Sequence, residues 1–193
     1  MGAPLRMLIV EDLADDAELV LREMRRGGFA VHHARVDTAD ELITALEREP
    51  WDVVVADFSM PRFSGGEALS ILRGRGYDTP FIFVSGTLGE DAAVEAMRNG
   101  AQDFVVKGNI RRLVPAIERE LREIGERRAR ARAEESLRKL SRAMEHSASL
   151  VIITDTEGVI EYINPKVSEA TGYAPEELIG QEPSFWRSGH TSE

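Results

Sequence analysis

Four apolar runs, each ending on a residue suited to phosphate chemistry, constrain this chain more than any other feature. Met7-Leu8-Ile9-Val10 leads into Glu11-Asp12, Val53-Val54-Val55-Ala56 into Asp57, Phe81-Ile82-Phe83-Val84 into Ser85, and Phe104-Val105-Val106 into Lys107. Unbroken apolar runs of this length read as strands buried on both faces of a parallel sheet. Ligands of open α/β sheets bind beyond the carboxyl ends of the strands. If the four strands are neighbours, three carboxylates, a hydroxyl and an ammonium meet along one edge. Each residue alone has a structural explanation, as a strand end, a helix cap, a turn or a surface lysine. Their joint occurrence in this order is the signal.

The segments between the runs read as helices, so the first part of the chain alternates strand and helix, the pattern of a right-handed βαβ array. Leu13 to Arg26 is expected to be helical, with Leu13, Ala17, Val20, Leu21 and Met24 on one face and Gly27-Gly28 as the stop. Ala30 to Val36 reads as a polar strand near a sheet edge. Thr38-x-x-Glu41 and Ser64-x-x-Glu67 have the form of capping boxes. Glu90 to Arg98 reads as another helix, capped by Asn99-Gly100, and a last helix begins near Ile110.

That last helix has no evident stop. Leu113, Ile117, Leu121 and Ile124 keep the spacing of a packing seam, which dissolves into Glu126-Arg127-Arg128-Ala129-Arg130-Ala131-Arg132 and returns as Leu137, Leu140 and Met144. The expectation is a long helix forming a dimeric coiled coil, with a solvated linker helix as the plainer reading. Pro115 is tolerable in the first turn.

From Leu150 the pattern changes. Leu150 to Thr154, a turn through Asp155-Thr156-Glu157-Gly158, and Val159 to Ile163 read as a β-hairpin. Asn164-Pro165 and Pro175-Glu176-Glu177 can each start a short helix. The expected organisation is therefore one domain over 1–124, a helical linker over 125–145, and a small incomplete module over 146–193.

Charge supports this division. Residues 1–109 carry 11 basic and 19 acidic side chains, 110–145 carry 11 and 7, and 146–193 carry 2 and 8. A basic stretch between two acidic ends is the pattern of a linker, and neither end offers the basic surface that nucleic-acid binding needs. No apolar stretch approaches a membrane span, and no signal peptide is visible. Cysteine is absent, which removes thiolate metal sites and cysteine nucleophiles and fits a cytoplasmic location.

Glu11 and Asp12 beside Asp57 would repel one another unless a cation lay among them. Mg²⁺ prefers oxygen ligands and takes only one or two protein carboxylates. Asp57 is then free to act as a nucleophile toward a phosphoryl donor. Lys107 supplies a second positive centre and Ser85 a hydrogen bond to a phosphoryl oxygen, matching a reaction governed by positioning and charge neutralisation.

With Met60-Pro61, Gly65-Gly66, Val84-Ser85-Gly86, Gly100-Ala101 and Asp103 to Lys107 added, residues 5 to about 124 resemble the receiver domain of two-component response regulators. The resemblance implies a flavodoxin-like, doubly wound five-stranded parallel sheet of order 2-1-3-4-5. It implies phosphorylation of Asp57 by a histidine kinase or phosphotransfer protein, with Mg²⁺ held by Asp12, Asp57 and the Ser59 backbone carbonyl, and by Glu11 through water. It further implies a switch in which Ser85 moves to the phosphoryl group and Phe104 turns inward. Two positions depart from the pattern. Gly108 follows Lys107 where the family usually has proline, and Phe104 replaces the commoner tyrosine, which favours a buried ring.

Ile152 to Gly158, Ile163-Asn164-Pro165, Thr171-Gly172-Tyr173 and Ile179-Gly180-Gln181 resemble the first half of a PAS sensory domain. That implies a PAS-linked output, a truncated α+β segment and a longer protein from which an output domain has been removed. The functional expectation is a phosphoacceptor module rather than an enzyme, forming a homodimer through the last helix and linker. The alternative is a non-phosphorylated pseudo-receiver serving as a dimerisation scaffold. A haloacid-dehalogenase-type phosphatase would need a carboxylate where Ser59 stands.

Overall fold

The computed structural model describes residues 2–86, 94 and 96–182. The chain divides after Glu126 into two compact units, and each is described by itself.

In the first unit the four apolar runs and one polar strand form the expected sheet. Its strands are β1 (Ala3–Val10), β2 (Phe29–Val36), β3 (Val53–Asp57), β4 (Phe81–Ser85) and β5 (Asp103–Val106), in the order β2-β1-β3-β4-β5 with every neighbour parallel. Among the described residues its longer helices are α1 (Ala14–Arg26), α2 (Ala39–Arg48), α3 (Gly65–Gly74) and the start of α4 (Leu113–Glu145).

Because strand side chains alternate between faces, the central strands feed two cores. Leu8, Val10, Val54, Ala56, Phe81 and Phe83 pack with Leu42 of α2 and Leu69 of α3. Met7, Ile9, Val53, Val55, Ile82 and Val84 pack with Val20 and Met24 of α1 and with Leu113 and Ile117 of α4. Both faces are therefore covered, which is why these strands read as continuous apolar runs. β2 lies at the edge with only Val36 fully buried, as its polarity suggests.

The helix ends follow their capping chemistry, with two differences. Ser64 and Glu67 close a reciprocal capping box on α3. At α2, Thr38 caps Glu41, but the Glu41 carboxylate accepts from the Asp37 N–H, one residue before the cap. Leu13, expected on the packing face of α1, is 56 % exposed. It occupies the N-cap in an extended conformation, so its side chain precedes the helical periodicity. The helix expected over 90–98 lies mostly outside the described residues; Ala96–Arg98 are helical and Gly100 adopts φ +93° just after them.

The last helix is entered through a 3-10 segment over Lys107–Arg112, so α4 begins at Leu113 rather than Ile110. Pro115 falls in its first turn, where no intrahelical donor is lost. The helix is 33 residues long. Leu137 and Leu140 are exposed along it, while Arg130–Glu134 and Glu135–Lys139 pair at i,i+4.

In the second unit, β6 (Ile152–Thr154) and β7 (Ile160–Ile163) form an antiparallel hairpin, with Gly158 at φ +91° in the turn. Asp155 Oδ1 accepts from the N–H groups of Glu157 and Val159, which fixes that turn. α5 (Pro165–Thr171) ends at Gly172 in the left-handed region, and α6 (Pro175–Leu178) follows. The core here is small: Ile160, Ile163, Val167 and Leu178, with Ile152 against them.

Asn164 does not cap α5 with its side chain. It is fully buried, its amide nitrogen donating to the carbonyls of Met144 and Ser149 at 3.1 and 2.9 Å and its oxygen accepting from Val151 N–H at 3.0 Å.

Candidate functional site

Strand register assembles the site. Val10 pairs with Ala56, Asp57 with Val84, and Ser85 with Val106. Glu11, Asp57, Ser85 and Lys107 therefore stand on four adjacent strand ends, displaced by no more than one residue at each step. This is the carboxyl edge, where open parallel sheets bind ligands.

Lys107 is the hub of the cluster. Its ammonium donates to Asp57 Oδ2 at 2.6 Å, to Glu11 Oε2 at 3.1 Å and to Asp16 Oδ2. Burial draws the Lys107 pKa down, but the bonds to Asp16, Asp57 and Glu11 outweigh it and hold the group above the ordinary lysine value. Glu11 is almost fully buried, and desolvation lifts its pKa to about 6 against the opposing effects of Lys107 and the Leu13 N–H. The second oxygen of Asp57 accepts from the Ser59 N–H at 3.1 Å, so the carboxylate is oriented from two sides.

Asp16 was not singled out from the sequence, yet it belongs to the cluster. Oxygens of Glu11, Asp16 and Asp57 lie within 4.8 Å of one another. Asp12, expected among the metal ligands, is not one of these three. It lines a neighbouring cleft with Asp37, Met60, Pro61 and Arg62. Glu11 bonds Lys107. Three carboxylates around one ammonium leave a formal charge of −2, and the donors are all oxygen. Both properties fit a hard divalent cation such as Mg²⁺.

Two further residues hold the site in shape. The Arg35 guanidinium donates to the carbonyls of Glu11 and Asp12 at 2.8 and 3.2 Å, tying the acidic loop to the edge strand. Gly65 lets the start of α3 approach the end of β3, since a Cβ there would lie 2.3 Å from the Asp57 carbonyl and 2.7 Å from the Phe83 ring. A paired glycine was visible in the sequence, but which of the two is sterically required was not.

Ser85 is buried at the end of β4, and Phe104 is buried at 8 % exposure. The Phe104 ring meets Phe58 edge-on at 5.9 Å and Phe83 at 6.4 Å. Gly108 lies in the 3-10 segment with no positive φ and open space around it, and no peptide bond among the described residues is cis.

Comparison with known proteins gives the same picture. A family model described as the response regulator receiver domain matches residues 7–118, and one described as the PAS fold matches 138–185. The chain is 33 % identical over 102 residues to the response regulator protein FleR of Pseudomonas aeruginosa, covering 53 % of this chain and 21 % of that protein. It is 35 % identical over 102 residues to the transcriptional regulatory protein PrrA of Mycobacterium bovis, covering 53 % and 43 %. The chain thus spans less than half the length of these curated relatives.

Among solved structures, the receiver domain of a putative LuxO repressor protein from Vibrio parahaemolyticus matches at 26 % identity and a TM-score of 0.55, over 69 % of this chain and 97 % of that one. Full-length FixJ from B. japonicum matches at 28 % identity and a TM-score of 0.55, over 62 % and 58 %. With the sheet order, the residues at its carboxyl edge and these matches in agreement, the chain belongs to the response regulator receiver family, and the segment after it matches the PAS fold model over 138–185.

Proposed function

We propose that this chain is the phosphoacceptor module of a two-component phosphorelay, with Asp57 as the Mg²⁺-dependent acceptor and a PAS-linked output as the recipient of the signal. The observation that carries the reading is the Lys107 ammonium 2.6 Å from Asp57 Oδ2, amid a ring of carboxylates at the carboxyl edge. A histidine kinase or phosphotransfer protein is the donor. An Asp57 oxygen forms the new bond to phosphorus as the P–N bond of the phosphohistidine breaks, and its electron pair leaves with the imidazole.

Asp57 and Asp12, with the Ser59 carbonyl and with Glu11 acting through water, would hold the cation. Bound there, Mg²⁺ neutralises charge on the phosphoryl oxygens. Lys107 supplies the other positive charge, and the Ser59 N–H keeps the acceptor carboxylate aimed. Ser85 and Phe104 are the switch pair. Both are buried, and the Phe104 ring already lies inward against Phe58 and Phe83.

Leu137 and Leu140, exposed on the polar outer half of α4, support a homodimer through this helix. The acceptor reading is tested by intact mass after incubation with acetyl phosphate and Mg²⁺. A phosphoryl adduct that needs Mg²⁺ and is lost in Asp57→Asn is expected. If a control receiver is labelled and this protein is not, the pseudo-receiver scaffold replaces the phosphoacceptor.

A further inference from the structure

Lys107 has three N–H donors, and three carboxylates accept from them: Glu11, Asp16 and Asp57. These partners are not equivalent. Glu11 is buried at 4 % side-chain exposure and is also held by the Leu13 N–H, and Asp57 is the acceptor itself. Asp16 is the most exposed of the three, at 31 %, and the only one supplied by a helix rather than by a strand end.

We propose that Asp16 is a positioning residue that restrains Lys107 and so slows phosphoryl transfer both into and out of Asp57. The proposal rests on the assignment of Asp57 as acceptor. Phosphoryl transfer depends on positive charge aimed at the oxygens of the transferring group. An ammonium whose donors are all engaged meets that demand only by leaving a partner. Glu11 is enclosed and Asp57 is reacting, so the bond to Asp16 is the one that has to yield. Asp16 also points a negative charge at the place where more negative charge arrives.

The restraint acts alike in both directions. In labelling, an Asp57 oxygen bonds phosphorus while the donor's bond to phosphorus breaks. In hydrolysis, a water oxygen bonds phosphorus while the Asp57 O–P bond breaks. Its electron pair returns to the carboxylate, and the water proton passes to solvent as inorganic phosphate departs. Lys107 faces the same phosphoryl oxygens in each reaction, so loosening its tether speeds both and leaves the balance between them nearly unchanged.

The test follows the phosphorylated mass over time in the full chain, for wild type, Asp16→Asn and Asp16→Glu, with acetyl phosphate and titrated Mg²⁺. Asparagine keeps the size and one hydrogen-bond acceptor but removes the charge, so a purely structural role would leave the rates in place. Asp16→Asn is expected to raise the labelling and dephosphorylation rate constants together by about three- to tenfold, the scale of one partly exposed ion pair. Asp16→Glu should return both toward wild type, with the unfolding midpoint unchanged in either variant. Unchanged or slower rates in Asp16→Asn overturn the proposal. So does a rise in the Mg²⁺ concentration needed for half-maximal labelling, which would make Asp16 a holder of the cation. A wild type that is never labelled beside a labelled control removes the acceptor reading, and this proposal with it.

Discussion

The buried amide of Asn164 donates to the carbonyl of Met144 at 3.1 Å, joining the loop after β7 to the last turn of α4. Its nitrogen faces carbonyls and its oxygen faces the Val151 N–H, so only one orientation of the amide satisfies every partner. With four buried apolar side chains among the described residues of the second unit, this polar contact is a large share of what holds the hairpin to the helix end.

Asn164→Ala should therefore cost about 2–3 kcal/mol within this unit, since the Val151 N–H and two carbonyls lose a buried partner. Asn164→Asp should be at least as damaging, because a carboxylate would face the Met144 and Ser149 carbonyls. Hydrogen exchange checks both: the amides of Val151 and Asn164 should lose protection while β1 to β5 keep theirs. Unchanged protection at Val151 would show that the amide contributes little.

Gly65 and Gly66 adjoin in sequence but differ in what surrounds them. A methyl on Gly65 meets the Asp57 carbonyl, which cannot give way without moving the acceptor strand, and the Phe83 ring, which is packed in the buried core. On Gly66 its nearest neighbour is the Ser64 hydroxyl at 3.8 Å. Gly65→Ala is expected to destabilise by about 1–3 kcal/mol as an overpacked site. Gly66→Ala should be neutral or stabilising by up to ~1 kcal/mol, as alanine favours the helix. Urea midpoints for the two variants give the comparison, and equal effects would contradict the packing.

Glu11 sets a pH window. Its pKa of about 6 in the folded chain lies above the ordinary 4.5 because the carboxyl is buried. A raised acid pKa means that the native state holds its proton more tightly than the unfolded chain does. The associated stability is thus complete below about pH 4.5 and is lost as pH climbs through 6. Glu11→Gln carries no such group, so relative to wild type it should gain stability between pH 4.5 and 6.5 and then level off. Urea unfolding at pH 5 and pH 7.5 without divalent cations measures this. A difference that does not change with pH would mean that Glu11 is not appreciably desolvated.

The legible parts of the molecule were those set by strand periodicity. Apolar runs with a polar last residue yielded the sheet and placed Glu11, Asp57, Ser85 and Lys107 along one edge, because parallel register carries strand ends with it. Asp16 was hidden because its position depends on how the first turn of α1 docks, which no local pattern encodes. Leu13 fitted the helical period but lies one residue before the helix, so its side chain faces solvent. Asn164 before Pro165 reads locally as a helix start, and only tertiary packing shows its side chain turned toward Met144. Arg35 looked like an ordinary edge-strand arginine, whereas it steadies the backbone of the acidic loop.

Gly108 offers a last test of how the loop after Lys107 is built. A glycine in place of proline suggests looseness in sequence, yet the chain here enters a 3-10 segment at once. Gly108 is not among the residues with positive φ, and nothing lies within 4 Å of where a Cβ would stand. Alanine should therefore fit without strain and, by limiting the unfolded chain, stabilise the domain by about 0.4–1 kcal/mol. Because the Lys107 side chain is held by its three carboxylates, the labelling rate of Gly108→Ala with acetyl phosphate should match wild type. A thermal melt and a labelling time course on the same variant separate the alternatives. Higher stability with an unchanged rate makes Gly108 a tolerated replacement, whereas higher stability with slower labelling shows that the glycine's freedom is used when Lys107 shifts toward the phosphoryl group.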